Sequence, residues 1–129
     1  MNVEDISFLL REATRLVNGD PVQGAEKLYK VAEECIKQLA EIKLPKYRGY
    51  SANGKWRYGS LGEAANDLSQ IYGDYVINGW DAAKELHVEG FHENRLTIEE
   101  VRSRVQKIVD LFELTKGELN IFESSTTPP

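Results

Sequence analysis

Gly19-Asp20-Pro21 followed by VQGAEKLYKVAEECIKQLA at 22–40 is the stretch on which the fold turns. Its apolar residues Val22, Ala25, Leu28, Tyr29, Ala32, Cys35, Ile36, Leu39 and Ala40 recur at three- and four-residue steps, the spacing of one face of an α-helix. Asp20 is placed to cap that helix, and Pro21 stands at its first position, where a missing N–H is no loss. Glu26 and Lys30 are four apart and read as an ion pair on the outer surface. Pro45 marks the latest end of the helix.

The same period continues in both directions. Upstream, Ile6, Leu9, Leu10, Ala13, Leu16 and Val17 form a helical stripe that Asn18-Gly19 ends. Downstream, Ser60 with Glu63 three residues on predicts a capped helix burying Leu61, Ala64, Ala65, Leu68, Ile71 and Tyr72, stopped by Gly73. Asp74 is placed to cap a fourth helix with Val76, Trp80, Ala83 and His87 on one face and Gly90 as its stop. Thr97 with Glu100 opens a last helix along Ile98, Val101, Val105, Ile108, Phe112, Thr115 and Leu119, which Gly117 is expected to shorten by a turn. No repeat and no strand pair is found, so the fold class is all-α, an antiparallel bundle of about five helices. Residues 1–122 form one domain, and 123–129, without apolar residues, are expected to be a disordered tail.

A chain of 129 residues with 41% hydrophobic and 29% charged side chains is long enough for one self-sufficient core. Its single cysteine, Cys35, permits no internal disulfide and lies on an apolar stripe, where a buried structural thiol is expected. No run of about 18 apolar residues is present to span a membrane, and no apolar leader follows Met1, so a cytoplasmic location is expected. The net charge of -5 gives no reason to expect whole-surface binding of nucleic acid.

One segment departs from that acidic background. Between Lys43 and Tyr58 stand five basic residues, Lys43, Lys46, Arg48, Lys55 and Arg57, and no acidic one, interleaved with Tyr47, Tyr50, Trp56 and Tyr58. With Pro45, Gly49, Gly54 and Gly59 it reads as a long ordered loop over 43–59. Cations that hold a phosphate backbone beside rings that stack on bases suit a nucleotide or single-stranded RNA. The alternative is that the rings fold back to cover the end of the bundle while the charges are merely solvated.

The second constellation is His87, His92, Glu93, Asn94 and Arg95, a base, a carboxylate and a guanidinium within a short span. That set suits phosphate binding or cleavage through a ribose 2'-hydroxyl; His87, sharing a face with Trp80 and Ala83, also reads as a hydrogen-bonded core histidine. His87, His92 and Asp81 match no established metal-ligand spacing, and no phosphate-binding glycine loop, CxxC pair or HExxH run occurs, so neither metal nor cofactor is expected.

GDP at 19–21 leading into AEKLYKVAEECIKQLA at 25–40, GKWR at 54–57 and GWDAAKELHVEGFHENRL at 79–96 together resemble the archaeal PaREP family, over nearly the whole chain. That family is similar to the wider HEPN class of small helical bundles, which often dimerise and many of which are linked to RNA cleavage, nucleotide transfer or host defence. The resemblance implies a HEPN-like bundle and a homodimer. HEPN ribonucleases carry an arginine followed four to six residues later by a histidine; no arginine here is so followed, and Arg95 comes after His92.

The preferred expectation is therefore a non-catalytic dimeric module that binds a nucleotide, RNA or a partner protein. Its contacts would be Lys46, Arg48, Lys55, Trp56, Arg57, Tyr58, His87, Glu93 and Asn94. The competing expectation is a metal-independent ribonuclease, with His92 as general acid or base and Arg95 stabilising the charged phosphorane. A third is a structural partner of an enzyme encoded nearby.

Overall fold

Helix α2, Pro21–Lys43, is the axis about which the other elements are arranged in the computed structural model, which describes residues 1–126. It packs against α1 (Val3–Val17), α3 (Tyr58–Tyr72), α4 (Tyr75–Glu85), α5 (Ile98–Thr126) and a π-helical turn, Leu86–His92, that continues α4. That central position explains Val31, which lies off the predicted stripe and is nonetheless fully buried. Asp20 accepts from the Gln23 N–H at 3.2 Å, as its place before Pro21 predicts. Among the described residues every regular element is helical, so the all-α bundle of five α-helices stands as expected.

The core is formed by Ile6, Leu28, Ile36, Leu39, Leu68, Trp80, Leu86, Ile108 and Leu111, all fully buried. Cys35 lies among them, and burial pushes its thiol up to about 12, so it is an inert core side chain. The Thr97–Glu100 capping box forms in both directions, at 3.1 Å to the Glu100 N–H and 3.0 Å from the Thr97 N–H.

Several helix ends differ from expectation. Helix α3 begins at Tyr58 rather than after Ser60, because the Ser60 hydroxyl turns back to accept from the Arg57 N–H at 2.8 Å. Asp74 makes no side-chain capping bond. Gly117 does not shorten α5; no atom crowds it, and a single glycine costs a helix only about 1 kcal/mol. The same helix occupies 123–126, where a disordered tail is expected, since serine and threonine weaken a helix by only tenths of a kcal/mol. The remainder of that stretch, 127–129, lies outside the described residues.

Gly90 is the largest departure: it stops nothing, and the chain runs through it in the π-helix. Its role is packing. A Cβ added there would stand 2.9 Å from the Ala25 Cβ and 3.4 Å from Leu96 Cδ1, so only a glycine lets this turn lie against α2. The turn closes at Asn94, whose φ of 51° lies in the left-handed region that asparagine tolerates better than most residues.

Candidate ligand-binding face

In an α-helix, residues five apart point about 140° away from each other. In a π-helix the hydrogen bonds run between residues five apart, as from the Glu93 N–H to the Val88 carbonyl at 2.9 Å, and such residues come to lie one above the other. The π-turn thereby brings together His87 and His92, whose Nε2 atoms are 3.2 Å apart. His87 Nδ1 lies 2.8 Å from a carboxylate oxygen of Glu26 on α2. A carboxylate only accepts, so His87 presents Nδ1–H to Glu26 and meets His92 through its other nitrogen. The result is a chain from Glu26 through His87 to the exposed ring of His92.

Rings from four elements surround that chain. Tyr29 of α2 stacks on His87 at 4.2 Å and meets Trp80 of α4 at 5.8 Å; Tyr58, at the start of α3, lies 6.2 Å from Trp80 and 6.4 Å from His87. Phe91 completes the group at 5.1 Å from His92. Burial, and then the Glu33 carboxylate, raise the Tyr29 phenol well above its ordinary range, so it stays protonated. His87 keeps about a fifth of its side chain exposed at 21%, and Tyr58 is about half exposed at 49%. The face therefore offers a ring to stack on and an imidazole that can donate or accept a proton.

The basic loop has a different internal logic. Tyr47 is buried, Trp56 stacks on it at 5.2 Å and 12°, and Tyr50 meets both edge-on at 5.0 Å. Trp56 Nε1 donates to Glu41 at 3.2 Å, and the Ser51 N–H donates to the same carboxylate at 3.1 Å. These rings anchor the loop to α2. A cleft of about 330 Å³ lies beside them, between Met1, Glu34, Lys37, Tyr50 and Trp56, but Lys37 is already paired with Glu33 and Glu34 at 3.6 Å.

The loop cations disperse over the surface. Lys46 pairs with Glu63 at 3.3 Å, the Arg57 guanidinium donates to the Gly54 and Trp56 carbonyls, and Lys55 lies over the Tyr50 ring at 5.9 Å. Arg48 is exposed and makes no ion pair among the described residues. None of Lys46, Arg48 and Lys55 has a hydrogen bond, ion pair or ring contact with the histidine face; of the basic, aromatic segment read from the sequence, only Tyr58, the first residue of α3, reaches it. The second constellation is split as well. His92 turns inward to His87, whereas Arg95 pairs with Glu89 and Glu93 at 3.4 Å, and Asn94 serves the turn. Asp81 pairs with Lys84 at 3.3 Å, and the described residues hold no group of three or more histidine, cysteine or acidic side chains placed so that they could hold a metal ion.

The model of the archaeal PaREP1/PaREP8 family matches residues 2–112. The chain belongs to this family. The crystal structure of a Sulfolobus solfataricus protein is similar to it, with 32% identity, a TM-score of 0.78 and coverage of 88% of this chain and 95% of that one. A comparison with the curated proteins finds no match. No helix among the described residues is long and apolar enough to cross a membrane.

In this PaREP1/PaREP8 chain every side chain of the histidine face, from Glu26 to His92, falls inside the matched span. Three of those side chains escape sequence reasoning. Glu26 reads as the partner of Lys30, yet Lys30 turns instead to Glu33 at 2.9 Å and Glu34 at 3.7 Å, leaving Glu26 for His87. Tyr29 and Trp80 read as core residues, which they are, but their edges also form the wall of the site. The available signal was the run Glu26, Tyr29, Glu33, an acid–ring–acid stripe at helical spacing along the margin of the apolar face.

Proposed function

We propose that this chain binds a nucleotide or single-stranded RNA at the histidine face and leaves it intact. The observation that carries the reading is the continuous set of ring contacts His92–His87–Tyr29–Trp80–Tyr58, exposed at both ends. A base stacks on Tyr58, and a phosphate is met by His92, whose neighbour His87 is held in place by Glu26. Lys46, Arg48, Lys55 and Arg57 act at longer range, drawing the strand toward an otherwise acidic protein. Lys46 remains available for this, because an exposed pair such as Lys46–Glu63 is worth little. Pairing of two copies belongs to the same reading and rests on the helical-bundle resemblance.

One observation favours a second reading, the metal-independent ribonuclease. The chain Glu26–His87–His92 supplies two positioned imidazoles, the pair that general acid and base catalysis needs. Against it, the arginine-to-histidine spacing of HEPN ribonucleases is absent, and Arg95, the cation called on to stabilise the phosphorane, has no hydrogen bond or ring contact with either imidazole among the described residues.

A labelled single-stranded oligoribonucleotide incubated with the protein tests both readings. The expected result is retention that weakens steeply with salt and leaves the strand full length, with His92→Ala reducing retention severalfold. Cleavage that persists in chelator and disappears in His92→Ala establishes the ribonuclease instead, and absence of retention at low salt overturns the binding reading.

A further inference from the structure

Trp80 is 1% exposed, and its indole Nε1–H has no hydrogen-bond partner among the described residues. Native proteins rarely leave such a donor unpaired, because burying it unsatisfied forfeits its bond to water. The donor faces a bare position. On α3, Gly62 carries no side chain above it, and the atom nearest to where a Cβ would stand is Trp80 Nε1 itself, 3.8 Å away. One turn earlier on the same face, a Cβ at Gly59 would meet nothing within 4 Å. The half-exposed ring of Tyr58 lies beside this notch, 6.2 Å from the Trp80 ring.

We infer that Trp80 Nε1 and the bare surface over Gly62 form a base-reading notch, in which a nucleobase carbonyl oxygen accepts from the indole while the base stacks on Tyr58. The inference rests on the binding reading above and deepens it by naming what part of the ligand is recognised. An indole N–H can only donate, so the notch calls for an acceptor. The carbonyl oxygens of uracil present one at the edge of a flat ring, the shape a floor of glycine and tryptophan admits. The Tyr58 ring moves aside as the base enters, since it is the exposed member of the pair. The unpaired donor of the free protein gains its partner from the ligand, which ties affinity to the identity of the base rather than to phosphate alone.

Gly62→Ala separates this notch from a packing defect. An alanine Cβ at 3.8 Å from Nε1 sits at ordinary contact distance, so the variant folds, and removing a helical glycine should raise the thermal midpoint by about 2–5 °C. The same methyl group fills the notch. The expected result is that Gly62→Ala is more heat-stable than wild type yet binds a short oligouridine at least tenfold more weakly. Trp80→Phe, which keeps a ring and deletes the donor, should lose affinity for the oligouridine to a similar degree while retaining an abasic ribose-phosphate strand as wild type does. In a Trp56→Phe background, where Trp80 is the only tryptophan, its emission should change on adding oligouridine.

Unchanged oligouridine affinity in Gly62→Ala, with wild type binding normally, overturns the notch and leaves the binding reading intact. Equal losses for the abasic strand would place a phosphate oxygen on Nε1 and overturn base recognition. Failure of wild type to bind either strand removes the binding reading itself, and this inference with it.

Discussion

Two parts of the molecule mix aromatic rings with polar groups, and they differ in where their polar atoms are satisfied. In the loop, Trp56 Nε1 ends on Glu41, which also takes the Ser51 N–H, and Tyr47 is buried beneath the stack. On the histidine face, Trp80 Nε1 has no hydrogen-bond partner among the described residues and the His92 ring ends in solvent. A cluster whose donors and acceptors are matched internally is an anchor; one that leaves them over at its edge is prepared for something else. Composition points to the loop as the site of chemistry, whereas hydrogen bonding points to the face beside it.

The comparison breaks most easily at Tyr47. Truncating this fully buried ring in Tyr47→Ala should cost about 3–5 kcal/mol. Denaturant unfolding should show it as a lower midpoint at unchanged slope, with RNA retention at 4 °C unaffected in whatever fraction stays folded. Loss of retention in fully folded Tyr47→Ala would make the loop cluster part of the site.

A smaller effect is expected on the other side. In Gly90→Ala the new methyl group meets the Ala25 Cβ at 2.9 Å, an overpacking worth about 1–3 kcal/mol. It should push the π-turn off α2 and weaken retention. The double variant Ala25→Gly with Gly90→Ala should recover both stability and binding; recovery of stability alone would show that the π-turn is not what organises the histidines.

The smallest effect belongs to the loop cations. Replacing Lys46, Arg48 and Lys55 together by alanine should change stability by less than about 0.5 kcal/mol. It should flatten the dependence of log affinity on log salt by up to about 2, the limit for three neutralised phosphates of a single strand. A salt slope equal to that of wild type would exclude these cations from binding.

What was legible in the sequence was whatever a local period or cap can encode. The stripe from Val22 to Ala40, the Asp20-Pro21 start and the Thr97–Glu100 box all appear as read, because each depends on neighbours within one turn. Pairing between distant positions was not legible. Glu26 meets His87 across 61 residues of chain, and nothing in the spacing of either residue announces the other. The π-turn was hidden for a related reason: apolar residues four apart look alike whether the backbone bonds four or five residues back, so Gly90 read as a stop rather than as a point of close packing. The basic, aromatic loop was read correctly as an ordered feature, but its rings were visible in the sequence and their partner Glu41 was not.

The two histidines owe their meeting to a count of residues as much as to their identity. A π-turn differs from an α-turn by one residue inserted without lengthening the helix by a full step. Removing any single residue between Val88 and Phe91 would leave the histidines four apart, and relaxation to ordinary helical winding would then offset His92 from His87 by only about 40°, with both imidazoles still on one face. For this chain a one-residue deletion there should thus spare the pair, whereas rewinding the turn as an α-helix at its full length would set the two rings about 140° apart.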